Sequence, residues 1–472
     1  MTPSVGVTAG GDGPAAHGDL RRTVHEDHGP VRFGPSAPDP GLPALPELVE
    51  ACRAAAHRPD PEPPGGGAAL REAACGYWSR RALRTAPGQV AAAPGAPPLL
   101  FALLSAVGGD VLLPRPCPAW WTPQIRLLGR PAYHVPTPAE CGGVPDPYAL
   151  LETVRRVRAE GGGPRVLLLC PADDPTGTVA PPDLLHAACE AAVGEGLHLV
   201  SDETWRDTGH RAGTALLSPA EMWPDDTTVL CDTVGALTPA AWPAAFARFP
   251  HTARGLARRA TTVDILTALG AVLAAPVAAA AALALAEPDA VRARARAAAA
   301  AHARVAVAAH RAVLAAGALA RPPEAGRHLY ADFGPLRARL ATVDVTDSMD
   351  LEEHLGERLG TPVYGGHRFG DELGALRVRL PTAPLLGAAP AERLASVVSG
   401  APLELPHVAR ALSAFAAALS IARRPARHGA EEPRTTSAPG STDITDATGS
   451  TDTAGTTGTT GGSGSTEGTE AQ

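Results

Sequence analysis

Two short apolar runs in this sequence each end on acidic residues, and chemistry is first legible there. Val166 to Leu169 leads through Pro171 into Asp173-Asp174-Pro175-Thr176-Gly177, and Leu197 to Val200 leads into Asp202-Glu203-Thr204-Trp205. The first of these tails has turn chemistry at every position. Between the runs, Pro182 suits a first helical turn and Gly194 or Gly196 a stop, which predicts a helix from Pro182 to Val193. The result is a strand, helix, strand unit. In open α/β sheets ligands bind beyond the carboxyl ends of the strands, so Asp174 and Asp202 are expected to share one crevice.

The order and spacing of these pieces resemble the class I/II aminotransferases, the fold type I enzymes that use pyridoxal phosphate. That family writes the region as NPTG, a helix, then DE followed by a hydroxyl-bearing aromatic. Here it stands as Asp174-Pro175-Thr176-Gly177 and Asp202-Glu203-Thr204-Trp205. The resemblance implies that Asp202 keeps the cofactor's pyridine nitrogen protonated, because an electron sink needs that charge and a buried carboxylate favours it. It also implies that Gly95 and Ala96 open a helix whose amino end cradles the cofactor phosphate, through free N–H groups and the helix dipole. Pro97 and Pro98 follow at once, and each lacks an N–H.

Other pieces match unevenly. Where relatives stack an aromatic on the pyridine ring, the alignment gives Pro118, with Trp121 on a second aromatic position. Trp120 is then either a substitute for the stacking ring or a filler of core and interface. Thr233 matches the second Ser of the family's Ser-x-Ser-Lys motif. On the stretch from Leu373 to Pro381, Arg379 fits the arginine that holds a substrate carboxylate by a two-pronged hydrogen bond. Arg377, two residues earlier and on the same strand face, is the alternative, and a solvated face is the plain reading of both. The implied substrate is an amino acid or keto acid.

One demand of the family is unmet. Val234 falls at the position of the lysine that carries the cofactor, and the sequence contains no lysine, so all 41 residues counted as Lys+Arg are arginine. The arginine that pairs with the phosphate has no clean counterpart either: Trp242 lies at the nearest register, and Arg248 or Arg254 match only with insertions. The expectation is an aminotransferase-like protein that is degenerate for ordinary transamination. Two alternatives stand beside it. One is a lysine-independent enzyme using pyridoxamine phosphate or pyridoxal phosphate held non-covalently. The other is a non-catalytic small-molecule-binding or partner subunit, as a homodimer or a heterodimer with a related chain.

Composition sets the frame. The 472 residues are 45% hydrophobic, enough for a large core, and the formal charge of -8 with a pI near 6.1 leaves no basic footprint for nucleic acid. Seven scattered cysteines, none in a Cys-x-x-Cys pair, read as reduced thiols of a cytoplasmic protein with no metal site. The first residues lack a signal-peptide core. Ile265 to Ala286 runs without a charge for a length that nominally spans a bilayer, but alanine dominates it and Pro276 breaks it, so core helices are expected and no membrane. The predicted class is α/β: a large domain with a mostly parallel sheet between helices, plus a smaller α/β domain. The boundaries read as a flexible terminus at 1–30, an arm at 31–44, the large domain at 45–290, the small domain at 291–425, and a disordered Ser/Thr/Gly tail at 426–472.

Overall fold

Short apolar runs bounded by glycine, proline or acidic turns form strands here, and seven of them build one sheet. The computed structural model describes residues 41–211, 216–234 and 236–420. The expected segment 1–30, most of the arm and all of the tail therefore lie outside the described residues. The strands are β1 (Val90–Ala93), β2 (Asp110–Arg115), β3 (Ala132–Pro136), β4 (Pro164–Leu169), β5 (His198–Asp202), β6 (Thr227–Asp232) and β7 (Ala245–Arg248), in the order β1-β7-β6-β5-β4-β2-β3. Only β7 runs against its neighbours; the β2, β3, β4, β5 and β6 pairings are all parallel. Leu167 pairs with Leu199 and Leu199 with Thr227, so the two acidic-tailed runs are adjacent strands of one α/β sheet.

The alternation along β4 explains why both its faces are apolar. Val166 and Leu168 pack into one core with the helix Ala96–Val107 and Leu266, while Leu167 and Leu169 pack into another with Leu150, Leu185 and Cys189 from the helices Pro147–Ala159 and Pro182–Gly194. A parallel sheet covered on both faces requires such continuous apolar strands. A second, antiparallel sheet is built from β8 (Leu319–Ala320), β9 (His328–Asp332), β10 (Tyr364–Gly365) and β11 (Arg377–Pro381), in the order β10-β11-β9-β8. Between the sheets, the uncharged stretch is divided into the helices Ala253–Ala268 and Ala275–Ala286, followed by the long helix Asp289–Ala315. Among the described residues no helix is long and apolar enough to cross a membrane.

Two polar junctions fix the parts that reach the crevice. Gly177 has φ +69, and a Cβ there would sit 2.9 Å from the His328 carbonyl oxygen, so this position suits only glycine. Its own carbonyl accepts from the Glu324 and Ala325 amides at 2.7 and 3.0 Å, and Glu324 Oε2 accepts from the Val179 amide at 3.0 Å. The turn after β4 is thereby laced to the segment before β9. The second junction centres on Arg81. Its guanidinium donates to Asp207 (3.1 and 2.8 Å) and to Glu287 (3.0 and 2.6 Å) and lies 3.5 Å from the Tyr77 ring centroid. Tyr77 Oη donates to Asp207 at 2.6 Å, and Arg80 Nε to Glu287 at 2.6 Å. Asp207 lies two residues after Trp205, so this network anchors the loop that follows β5.

Candidate functional site

A cavity of about 440 Å³ lies beyond the carboxyl ends of β4, β5 and β6 and is closed on its far side by β11 and the segment before β10. Its walls are mostly apolar, with Pro97, Pro98, Pro118, Trp120, Pro243 and Pro384 among them. The polar groups converge from strand ends, as the right-handed crossovers of a parallel sheet dictate. Asp174 comes from the turn after β4, Asp202 is the last residue of β5, and Asp232 is the last residue of β6.

Asp202 is 6% exposed. The Thr204 amide donates to its Oδ1 at 3.0 Å, while its Oδ2 takes no hydrogen bond of normal geometry from the described residues. Burial pushes its carboxyl up to about 6; the Thr204 hydrogen bonds oppose this, and the neighbouring Asp232 and Asp174 add to it. Asp174, also 6% exposed, has Oδ1 2.9 Å from Arg379 Nε, an ion pair whose N–H is not aligned as a hydrogen bond. Desolvation outweighs Arg379's attraction, so the Asp174 carboxyl is also raised. Arg379 Nη2 is 3.1 Å from His328 Nδ1. Burial, then Arg379, hold His328 well below its ordinary range, so it is neutral. With Nδ1 accepting from Arg379, its proton belongs on Nε2, which faces Asp174 Oδ1 at 3.7 Å.

Asp232 is the residue that sequence reasoning missed. Gly95 has φ +101 and caps the helix Ala96–Val107, and this left-handed backbone aims the Ala96 N–H into the cavity. Asp232 Oδ2 accepts from that N–H at 2.8 Å, and its Oδ1 accepts from the Val234 amide at 2.9 Å. The helix amino end thus holds the protein's own carboxylate. Burial raises the Asp232 carboxyl against the pull of these amides. The available signal was an acid two residues before the position of the missing lysine.

Of the residues singled out from sequence, Gly95, Ala96, Trp120, Asp174, Asp202, Trp205, Val234 and Arg379 all line this cavity. Trp120 borders it beside Pro118, while Trp121 is fully buried in the core beneath the helix Ala96–Val107. Trp205 meets the His328 ring edge-on at 5.7 Å. Thr233 does not reach the cavity: it is fully buried, with its hydroxyl 2.8 Å from the Thr238 hydroxyl and donating to the Ala244 carbonyl at 2.9 Å. Arg377 does not reach it either, because it pairs with Asp332 (3.1 Å) and Asp371 (3.2 Å). Arg248 is buried on β7 and donates to Thr85, and Arg254 is exposed on the helix Ala253–Ala268. Glu203 turns away into a cluster with Arg206, Ser201 and Ser218. Cys170 borders the cavity with its thiol donating to the Ala172 carbonyl, and burial holds it well above the ordinary range, so it is no nucleophile. Among the described residues no group of His, Cys, Asp and Glu is arranged to hold a metal ion.

The raised Asp202 gives a sign for stability. A carboxyl whose folded value lies above its unfolded value contributes stability that is complete below about 4 and is lost as pH rises through about 6. Asp202→Asn should therefore stabilise the protein at about pH 8 by on the order of 2 kcal/mol, and the gain should vanish towards about pH 4. Urea denaturation of both proteins at the two pH values checks this; a pH-independent difference would refute it.

Comparison with known proteins gives a consistent family. The family model described as aminotransferase class I and II matches residues 62–336. A probable aspartate/prephenate aminotransferase of Thermus aquaticus is 30% identical over 192 residues, 40% of this chain and 48% of that protein. The aspartate/prephenate aminotransferase of Thermus thermophilus is 29% identical over the same length. The chain thus spans about half the length of the curated relatives it matches. Among solved structures, the Thermus thermophilus aspartate aminotransferase with maleate superposes with a TM-score of 0.65 at 23% identity, covering 82% of this chain and 90% of that one. The N-succinyldiaminopimelate aminotransferase of Mycobacterium tuberculosis superposes with a TM-score of 0.65 at 22% identity, covering 82% and 92%.

Proposed function

From the premise that this chain belongs to the aminotransferase class I and II family, we propose a member that keeps the family's ligand crevice but does not transaminate through a lysine-bound cofactor. The carrying observation is Val234. It lines the cavity just after β6, at the position of the family's lysine, and the sequence offers no lysine at any other position. A valine side chain is neither a nucleophile nor a base.

The family implies pyridoxal phosphate, and the residues present do not fit it. The helix amino end that would receive a phosphate already holds the Asp232 carboxylate, and the next two residues are prolines without N–H groups. A phosphate placed there would meet a like charge. Pro118 stands where a stacking ring is expected, and neither Arg248 nor Arg254 lines the cavity. Asp202 and Arg379, matched to family positions by resemblance, both line the cavity. Arg379 faces Asp174, which replaces the family's neutral asparagine, so its charge is already matched by the protein.

On this reading the crevice binds a small molecule non-covalently. Asp202 supplies a buried acceptor, the Trp120 and Trp205 rings supply flat contact area, and the proline walls exclude water. The test is a transamination assay with the purified protein, added pyridoxal phosphate, and amino-donor and keto-acid pairs. Keto-acid formation is expected to match that of pyridoxal phosphate in buffer alone; turnover above that background, at an enzymatic rate, would sink the proposal.

A further inference from the structure

The charges around the cavity are unbalanced in one direction. Asp174, Asp202 and Asp232 all border it, and Arg379 is paired with Asp174 at 2.9 Å. Arg327 also lines the cavity and has interactions of its own, so the lining holds three carboxylates and two guanidiniums. Among the described residues, Asp202 and Asp232 accept hydrogen bonds from neutral donors, the Thr204, Ala96 and Val234 amides. Asp202 is the sharper case, because it is more than nine-tenths buried, borders the cavity, and its Oδ2 takes no hydrogen bond of normal geometry from the described residues. A buried acceptor in that position gains from a donor that a ligand brings.

Resting on the non-covalent reading above, we propose that the crevice takes an organic cation, a primary ammonium on an apolar or aromatic body, in place of a phosphate-bearing cofactor. The ammonium sits against Asp202 and Asp232, where charge-assisted hydrogen bonds replace its lost hydration. The apolar body lies along Trp120, Trp205 and the prolines, whose ring faces also attract a cation. An anion of the same size meets three carboxylates. It finds the Ala96 N–H occupied by Asp232 and Arg379 engaged by Asp174.

Isothermal titration calorimetry of the full chain at about pH 8, above the value of about 6 to which Asp202 is pushed and below the ordinary range of an amine, distinguishes the outcomes. Three probes are compared: phenethylamine, its carboxylate counterpart hydrocinnamate, and inorganic phosphate. Phenethylamine is expected to bind saturably and the two anions not at all. Asp202→Asn, checked for folding by circular dichroism, should weaken the amine by about tenfold or more. Asp232→Asn, which keeps an oxygen for the Ala96 amide, should weaken it as well. Equal affinity for amine in wild type and Asp202→Asn overturns the inference. A crevice that takes hydrocinnamate or phosphate and not the amine overturns it while leaving non-covalent binding in place; one that takes none of the three overturns both.

Discussion

Pyridoxal phosphate followed by borohydride should leave no reduced cofactor on any residue lining the crevice, with peptide mapping by mass spectrometry as the measurement. Borohydride traps a cofactor only where an amine has condensed with it, and β6 runs out to Asp232, Thr233 and Val234, none of which carries one. The stronger form of the prediction concerns a variant. Val234→Lys restores the amine but leaves Asp232 on the Ala96 N–H at 2.8 Å and the two prolines behind it. It should remain unlabelled in the crevice. Val234→Lys combined with Asp232→Gly clears the helix amino end and should label. The margin is set by the phosphate contacts, each charge-assisted hydrogen bond contributing roughly 1.5 to 3 kcal/mol. Full labelling of Val234→Lys alone would mean that Asp232 yields to a phosphate, and a crevice adduct in the unmodified protein would end the lysine argument altogether.

Arg81→Met should cost roughly 3 to 5 kcal/mol of folding stability, the usual penalty for removing one side of a buried ion pair. Methionine fills much the same volume but takes the guanidinium away from Asp207, which still accepts from Tyr77, while Glu287 keeps its bond from Arg80. Against a typical total of about 5 to 15 kcal/mol the loss is large. Arg81→Met with Asp207→Asn should recover part of it, since the orphaned charge is then gone. Urea midpoints for the two variants decide the matter. A single-variant cost below about 1 kcal/mol would mean the network behaves like a surface pair.

Much of the fold was legible because it depends on local pattern. Val166 to Leu169 is apolar throughout, Leu197 to Val200 is apolar but for His198, and both end on turn residues, so their pairing as parallel neighbours follows from the helix between them. Val234, Asp202 and Gly95 were legible as candidates for the crevice, whose cavity they line, for the same reason: each stands at a strand or helix end. The remainder depended on partners far away in sequence. Arg377 and Arg379 share a strand face, but β11 pairs Arg377 directly with Asp332 and sets Arg379 opposite Tyr330, so only one of them is free to turn towards Asp174. Thr233 looked like its family counterpart until Thr238 and Ala244 claimed its hydroxyl. Asp232 passed unnoticed because its meaning comes from the backbone of Gly95, 137 residues earlier by their numbering, and no periodicity records that approach.

The Asp174–Arg379 pair has a further consequence when it is viewed as competition. A carboxylate arriving from solution must displace one that is tethered to the same chain and never diffuses away. A tethered group acts at an effective concentration on the order of millimolar or above, held there by the laced turn around Gly177. A simple carboxylic acid at micromolar levels is thus outcompeted before any other contact is counted. A ligand reaches Arg379 only by bringing enough binding elsewhere to unseat Asp174, or by bypassing the arginine entirely.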